Sequence, residues 1–116
     1  MTLLQKQQIF STLVAKLILK ANEMGYSVTL AEAFRPEFTA KKYQEMGIGI
    51  ENSLHSIRLA IDLNLFKPAN VWLRYSEDYR PLGEWWESQS TPEYELCWGG
   101  HWKDGNHFSL KFGTRK

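Results

Sequence analysis

The chain has 116 residues, enough for one domain and too few for a second core. Hydrophobic residues make up 43% of it and charged residues 23%, which argues against a disordered or fibrous chain. Its 14 basic and 13 acidic residues leave a formal charge of +1 with no basic block to follow a phosphate backbone, and its single cysteine, Cys97, excludes an internal disulfide.

Residues 2–24 are expected to form an amphipathic helix. Thr2 followed by Gln5 matches a capping box, and Phe10, Leu13, Val14, Leu17, Ile18, Ala21 and Met24 recur at helical spacing up to the stop at Gly25. Residues 26–34 carry β-branched and aromatic side chains and predict a strand. Pro36 then opens a helix over residues 37–46. Gly47 and Gly49 begin a loop that ends near Ser53. From Ile57 to Leu65 the chain alternates strictly, with Ile57, Leu59, Ile61, Leu63 and Leu65 facing one way and Arg58, Ala60, Asp62 and Asn64 the other. Residues 71–73 suggest a partner strand. Ser76 fits as N-cap of a helix reaching about Ser88, with Glu77 and Asp78 in its first turn. A strand at 94–98, a loop at 99–106 and a last strand at 107–111 complete the chain. The class is α+β, a single domain over residues 1–116 with a small antiparallel sheet and flanking helices. Nothing reads as a signal peptide or a membrane span, so no membrane insertion is expected.

The chain has three histidines, His55, His101 and His107. His55 and His107 each stand at a loop-to-strand junction. Asp62 lies inside an apolar strand, where a carboxylate is costly unless it is paired or ligates a metal. Two imidazoles and a carboxylate form a standard three-ligand set for catalytic zinc, with a fourth position open to water. His55 and Asp62 are seven residues apart, an odd number that puts them on opposite faces of a straight strand. Both reach one metal only if the chain turns between His55 and Ile57. Asp104, three residues before His107, reads either as a general base or as a turn residue of Lys103-Asp104-Gly105-Asn106, and the two roles are compatible. Cys97 reads as a buried small hydrophobe. The alternative, a closed structural site of Cys97, His101, His107 and His55, is poor in cysteine for its kind. Trp98 and Trp102 flank the loop as candidates for lining a cleft, with packing in the core as the competing role of each.

Two motifs carry a family resemblance. Ser53-Leu54-His55-Ser56-Ile57-Arg58-Leu59-Ala60-Ile61-Asp62 resembles the S-x-H-x-x-G-x-A-x-D motif of the zinc D-Ala-D-Ala carboxypeptidases and L-alanyl-D-glutamate endopeptidases. Trp98-Gly99-Gly100-His101-Trp102, with Asp104-Gly105-Asn106-His107-Phe108, resembles that family's W-G-G-D-W and D-x-x-H-F segment. Ala33-Phe34-Arg35-Pro36 is similar to its aromatic-Arg-Ser/Thr segment. The resemblance runs from about Tyr26 to Leu110, and the compact size is most like the phage and prophage endolysin branch.

The resemblance implies the fold shared with the Hedgehog signalling domain and zinc held by His55, Asp62 and His107. It implies Asp104 as general base, Arg35 on a substrate carboxylate or carbonyl, and Ser53 holding substrate or the ligand loop. Three departures stand out. Arg58 replaces the family's glycine, so it is expected to pair with a carboxylate or guard the cleft. His101 replaces an acid, which makes it a candidate for substrate contact or oxyanion stabilisation. Phe38 and Thr39 stand where the family has a glutamine. The implied function is hydrolysis of peptidoglycan stem peptides at the L-Ala-D-Glu bond by a monomeric endolysin, made in the host cytoplasm and acting at the cell wall after release. D-Ala-D-Ala carboxypeptidase or cross-link endopeptidase action is the near alternative. An inactive zinc-containing cell-wall binding module is the alternative of another class.

Overall fold

The computed structural model describes residues 1–47 and 53–116. The first helix, α1 (Leu3–Glu23), starts with both bonds of the expected capping box: Gln5 N–H donates to Thr2 Oγ1 at 3.1 Å, and Thr2 N–H donates to Gln5 Oε1 at 2.8 Å. It ends because Gly25 takes a φ of 94°, which other residues resist. Phe10, Leu13, Leu17 and Ala21 form its buried stripe.

Strand β1 (Ser27–Leu30) is shorter than the sequence suggests and is followed by α2 (Glu37–Glu45). A 3-10 turn (Leu54–Ile57) leads into β2 (Ala60–Lys67), then β3 (Val71–Trp72) and a second 3-10 turn (Ser76–Tyr79) that runs into α3 (Arg80–Ser88). Strand β4 (Leu96–Trp98), a third 3-10 turn (Gly99–Trp102) and β5 (His107–Leu110) close the chain. The expected loop through Gly49 lies outside the described residues. The strands form one antiparallel sheet in the order β1-β2-β5-β4, and β3 pairs with β2. No helix among the described residues is long and apolar enough to cross a membrane.

Two expectations are corrected. The alternating run does not begin its strand at Ile57, because residues 54–57 coil into the 3-10 turn and pairing starts at Ala60. Ser76 does not cap the helix: it opens the second 3-10 turn, its Oγ accepts from Gly105 N–H at 2.9 Å, and Tyr79 takes the N-cap position of α3 with no side-chain bond.

From Leu59 onward the alternation holds, and Leu59, Leu63 and Leu65 are fully buried. With Phe108 and Leu110 they face α1 and α3, where Trp86 meets Phe10 and Phe108 edge-on at 6.0 and 6.2 Å. Trp86 Nε1 donates to the carbonyls of Cys97 and Ser109 at 3.1 and 3.2 Å, which ties α3 to two strands. Each fully buried leucine contributes roughly 1.5–3 kcal/mol relative to exposure. This packed face lets the opposite face carry polar groups.

Candidate metal centre

Successive residues of a strand point to opposite faces, so Asp62 and His107 project away from the helices. They are also direct partners across β2 and β5. His55 joins them from the 3-10 turn. Ser53 caps that turn, its Oγ accepting from His55 N–H at 3.1 Å. Arg58 ends it in the left-handed region, at φ 58° and ψ 37°. The turn therefore resolves the odd spacing between His55 and Asp62. It also explains the motif, since glycine adopts this conformation without the Cβ penalty that an arginine bears. The Arg58 guanidinium lies over the Phe34 ring at 4.1 Å.

The stretch after β1 laces the site together. Ala31 N–H donates to Asp62 O at 2.9 Å, and Asp62 N–H donates to Glu32 O at 2.7 Å. His55 Nδ1 lies 3.0 Å from the Ala33 carbonyl, which fixes Nδ1 as the protonated nitrogen and leaves Nε2 facing Asp62. Arg35 N–H donates to His55 O at 3.1 Å. The Arg35 side chain pairs with Glu32 and lies over Tyr43 at 5.1 Å.

Asp62 Oδ1 is 3.2 Å from His55 Nε2 and 3.5 Å from His107 Nδ1. One ligand atom from each of the three residues lies within 4.8 Å of the others. Asp62 Oδ1 is buried, yet it makes no hydrogen bond to either imidazole. Leaving a buried acceptor unsatisfied costs about 1–3 kcal/mol, a cost that a divalent cation held among the three side chains would offset. Burial opposes the charge on Asp62, but the imidazoles of His107 and His55 outweigh it and hold the carboxyl at about 2. His55 is also buried, which lowers its pKa, but Asp62 and the Ala33 carbonyl raise it further and the net shift is upward.

Asp104 stands beside this trio, its Oδ2 3.9 Å from His107 Nδ1 and its side chain half-exposed. Partial burial pushes its carboxyl above the ordinary value; the charge of Asp62 adds to this, while His107, His55 and Arg35 oppose it. Backbone bonds hold it from both sides: Asp104 N–H donates to Gly99 O at 2.9 Å, and His107 N–H donates to Asp104 O at 3.1 Å. A carboxylate so held, with a raised pKa and access to solvent, suits proton transfer. Asp104 is thus both tied into its loop by backbone bonds and a neighbour of the trio.

Other candidates lie elsewhere. His101 turns toward α3, with its Nε2 2.7 Å from Glu87 Oε1 and its ring edge-on to Trp98 at 5.5 Å. Trp98 is fully buried and donates from Nε1 to Gly105 O at 2.7 Å. Trp102 is exposed, with its ring 5.7 Å from that of His107, so it lines the site. Cys97 is buried and its thiol is pushed up to about 12, by burial first and then by Glu95, so it is no ready metal ligand. A groove of about 560 Å³ along α1 and residues 93–94 contains none of the candidate residues.

Glu32 escapes sequence reasoning. The signal was its three-residue spacing from Arg35, which a strand reading hides because strand neighbours three apart face opposite sides. The carboxylate of Glu32 lies 4.0 Å from His55 Nδ1 and anchors Arg35.

A family model described as D-alanyl-D-alanine carboxypeptidase matches residues 48–110, a stretch that contains His55, Asp62, Asp104 and His107 and leaves Arg35 outside. Among solved structures, the L-Ala D-Glu endopeptidase ChiX of Serratia marcescens aligns with a TM-score of 0.64 at 23% identity, over 88% of this chain and 80% of that one. That likeness shows the fold. No curated protein matches the chain.

Proposed function

This chain belongs to the D-alanyl-D-alanine carboxypeptidase family, a family of peptidases acting on peptidoglycan, and from that premise we propose that it is a zinc-dependent endopeptidase for the L-Ala-D-Glu bond of stem peptides. The observation that carries the reading is the orphaned Asp62 Oδ1 between two imidazoles, with Asp104 next to it.

His55, Asp62 and His107 would hold the ion, which would supply a Lewis acid for the scissile carbonyl and an acidified water. Asp104 takes the proton of the attacking water and returns it to the leaving amine. Arg35, held between Glu32 and Tyr43, meets a substrate carboxylate or carbonyl. Ser53 serves by capping the ligand turn. His101 stays with Glu87 and takes no part in this reading.

The choice of bond draws on the activity of the ChiX neighbour. Cutting D-Ala-D-Ala ends or cross-links is the competing specificity. Purified peptidoglycan digested with and without chelator, followed by mass analysis, separates these readings. New L-alanine carboxyl ends that vanish with chelator support the proposal. Released D-alanine alone would assign the chain to carboxypeptidase action. A lysis assay on cells exposed from outside tests the endolysin role.

A further inference from the structure

Beyond the trio, the opposite edge of β2 carries a second feature. Strand β1, and Arg35 after it, lie along one edge of β2. Along the other edge β5 pairs with residues 60–62 and β3 with residues 66–67. Asn64 falls in the gap between these partners, on the same strand face as Asp62. A polar pocket of about 210 Å³ occupies this gap, and Asn64, Arg74, Lys103 and Asp104 line it.

The pocket walls are clamped together. Gly105 N–H donates to Ser76 Oγ at 2.9 Å. A Cβ on Gly105 would collide with Ser76 Cα, so the 103–106 loop packs directly on the segment that follows Arg74. Lys103 holds a left-handed backbone at φ 64°, a conformation that costs a lysine about 1 kcal/mol or more. Among the described residues neither Arg74 nor Lys103 has an ion-pair partner, and neither pairs with Asp104, although all three line one pocket. Two solvent-exposed cations without an ion-pair partner and an amide thus line one pocket that the Asp104 carboxylate also borders.

We propose that Arg74 and Lys103, with Asn64, form a carboxylate subsite that holds an acidic group of the peptide substrate on the Asp104 side of the centre. This inference rests on the peptidase reading above and deepens it. Arg35 and this pair approach from opposite edges of β2, so the cleft selects a peptide that is anionic at more than one point. Neutral peptides of the same length leave two cations unmatched.

The test uses the zinc-loaded full chain, its Arg74→Ala/Lys103→Ala double variant, and a stem peptide in two forms, with every carboxylate free or every carboxylate amidated. Calorimetry measures binding and a cleavage assay measures kcat/KM; zinc content and Tm report on folding. The wild type should prefer the free acid, and the double variant should lose about tenfold of that preference, mainly in KM. Arg74→Lys with Lys103→Arg should restore most of it, which a merely structural role would not do. An unchanged preference in the double variant overturns the subsite, as does failure of the wild type to bind either peptide. Acid-selective binding without cleavage keeps the subsite and sinks the endopeptidase assignment.

Discussion

Gly99 lies so close to His107 that a Cβ added to it would sit 2.7 Å from His107 Cβ and would collide with the carbonyl oxygen of Asp104. The Trp-Gly-Gly motif is therefore a packing requirement of the centre. Gly99→Ala should cost about 1–3 kcal/mol of stability through overpacking and displace both residues. Thermal melts and zinc analysis check this; a variant with wild-type Tm and zinc content would show that the contact is relieved cheaply.

The roles assigned to His107 and Asp104 separate experimentally. His107→Ala should lose zinc on dialysis. Asp104→Ala should keep zinc and lose roughly 10²–10⁴-fold in turnover, the usual contribution of a positioned acid-base group. Near-normal digestion by the Asp104 variant would remove it from the mechanism.

Arg58 sets backbone strain against ring stacking. The left-handed conformation costs an arginine about 1–2 kcal/mol, whereas an exposed contact with Phe34 returns about 0.5–1 kcal/mol. Arg58→Gly should therefore raise Tm slightly, and Arg58→Val should lower it clearly because β-branching worsens the strain. A drop in Tm for the glycine variant would mean that stacking dominates.

The pKa shift of His55 predicts stability slopes of opposite sign. In metal-free protein the folded pKa is above the ordinary 6.5, so protonated His55 stabilises the fold at low pH. That contribution is complete below the unfolded value and fades as pH rises through the raised folded value. Zinc needs the neutral imidazole, so the loaded protein should instead gain stability as pH rises over the same window. Asp62, held at about 2, adds stability that is lost only as pH falls below about 4 toward 2, so it does not blur the comparison. Melting curves with chelator and with zinc, from about pH 5.5 to about pH 8, check both signs; parallel slopes would remove His55 from the metal.

Where the local signal is physical and strong, the sequence is readable. The capping box and apolar stripe of α1 survive nearly to the residue, because Thr2, Gln5 and Gly25 each act within one turn. The burial alternation from Leu59 to Leu65 survives because one face must be covered. The start of β2 is misread because Ile57 extends the apolar pattern into a turn whose shape depends on Arg58 adopting positive φ. Ser76 is misread as a cap because its actual partner, Gly105, is 29 residues away. Trp98 and His101 divide in the same way: their neighbours on α3, Gly83 and Glu87, cannot be read from the loop that carries them. The trio itself becomes legible through motif order, since its spacing alone left the facing of His55 undecided.

The Trp98 indole leaves no room for a Cβ at Gly83 or at Gly100, and it is hydrogen-bonded to Gly105. One fully buried ring thus anchors the helix, the third 3-10 turn and the loop bearing Asp104. A substitution at this ring would therefore be felt at Asp104 even though the ring itself is out of reach of solvent.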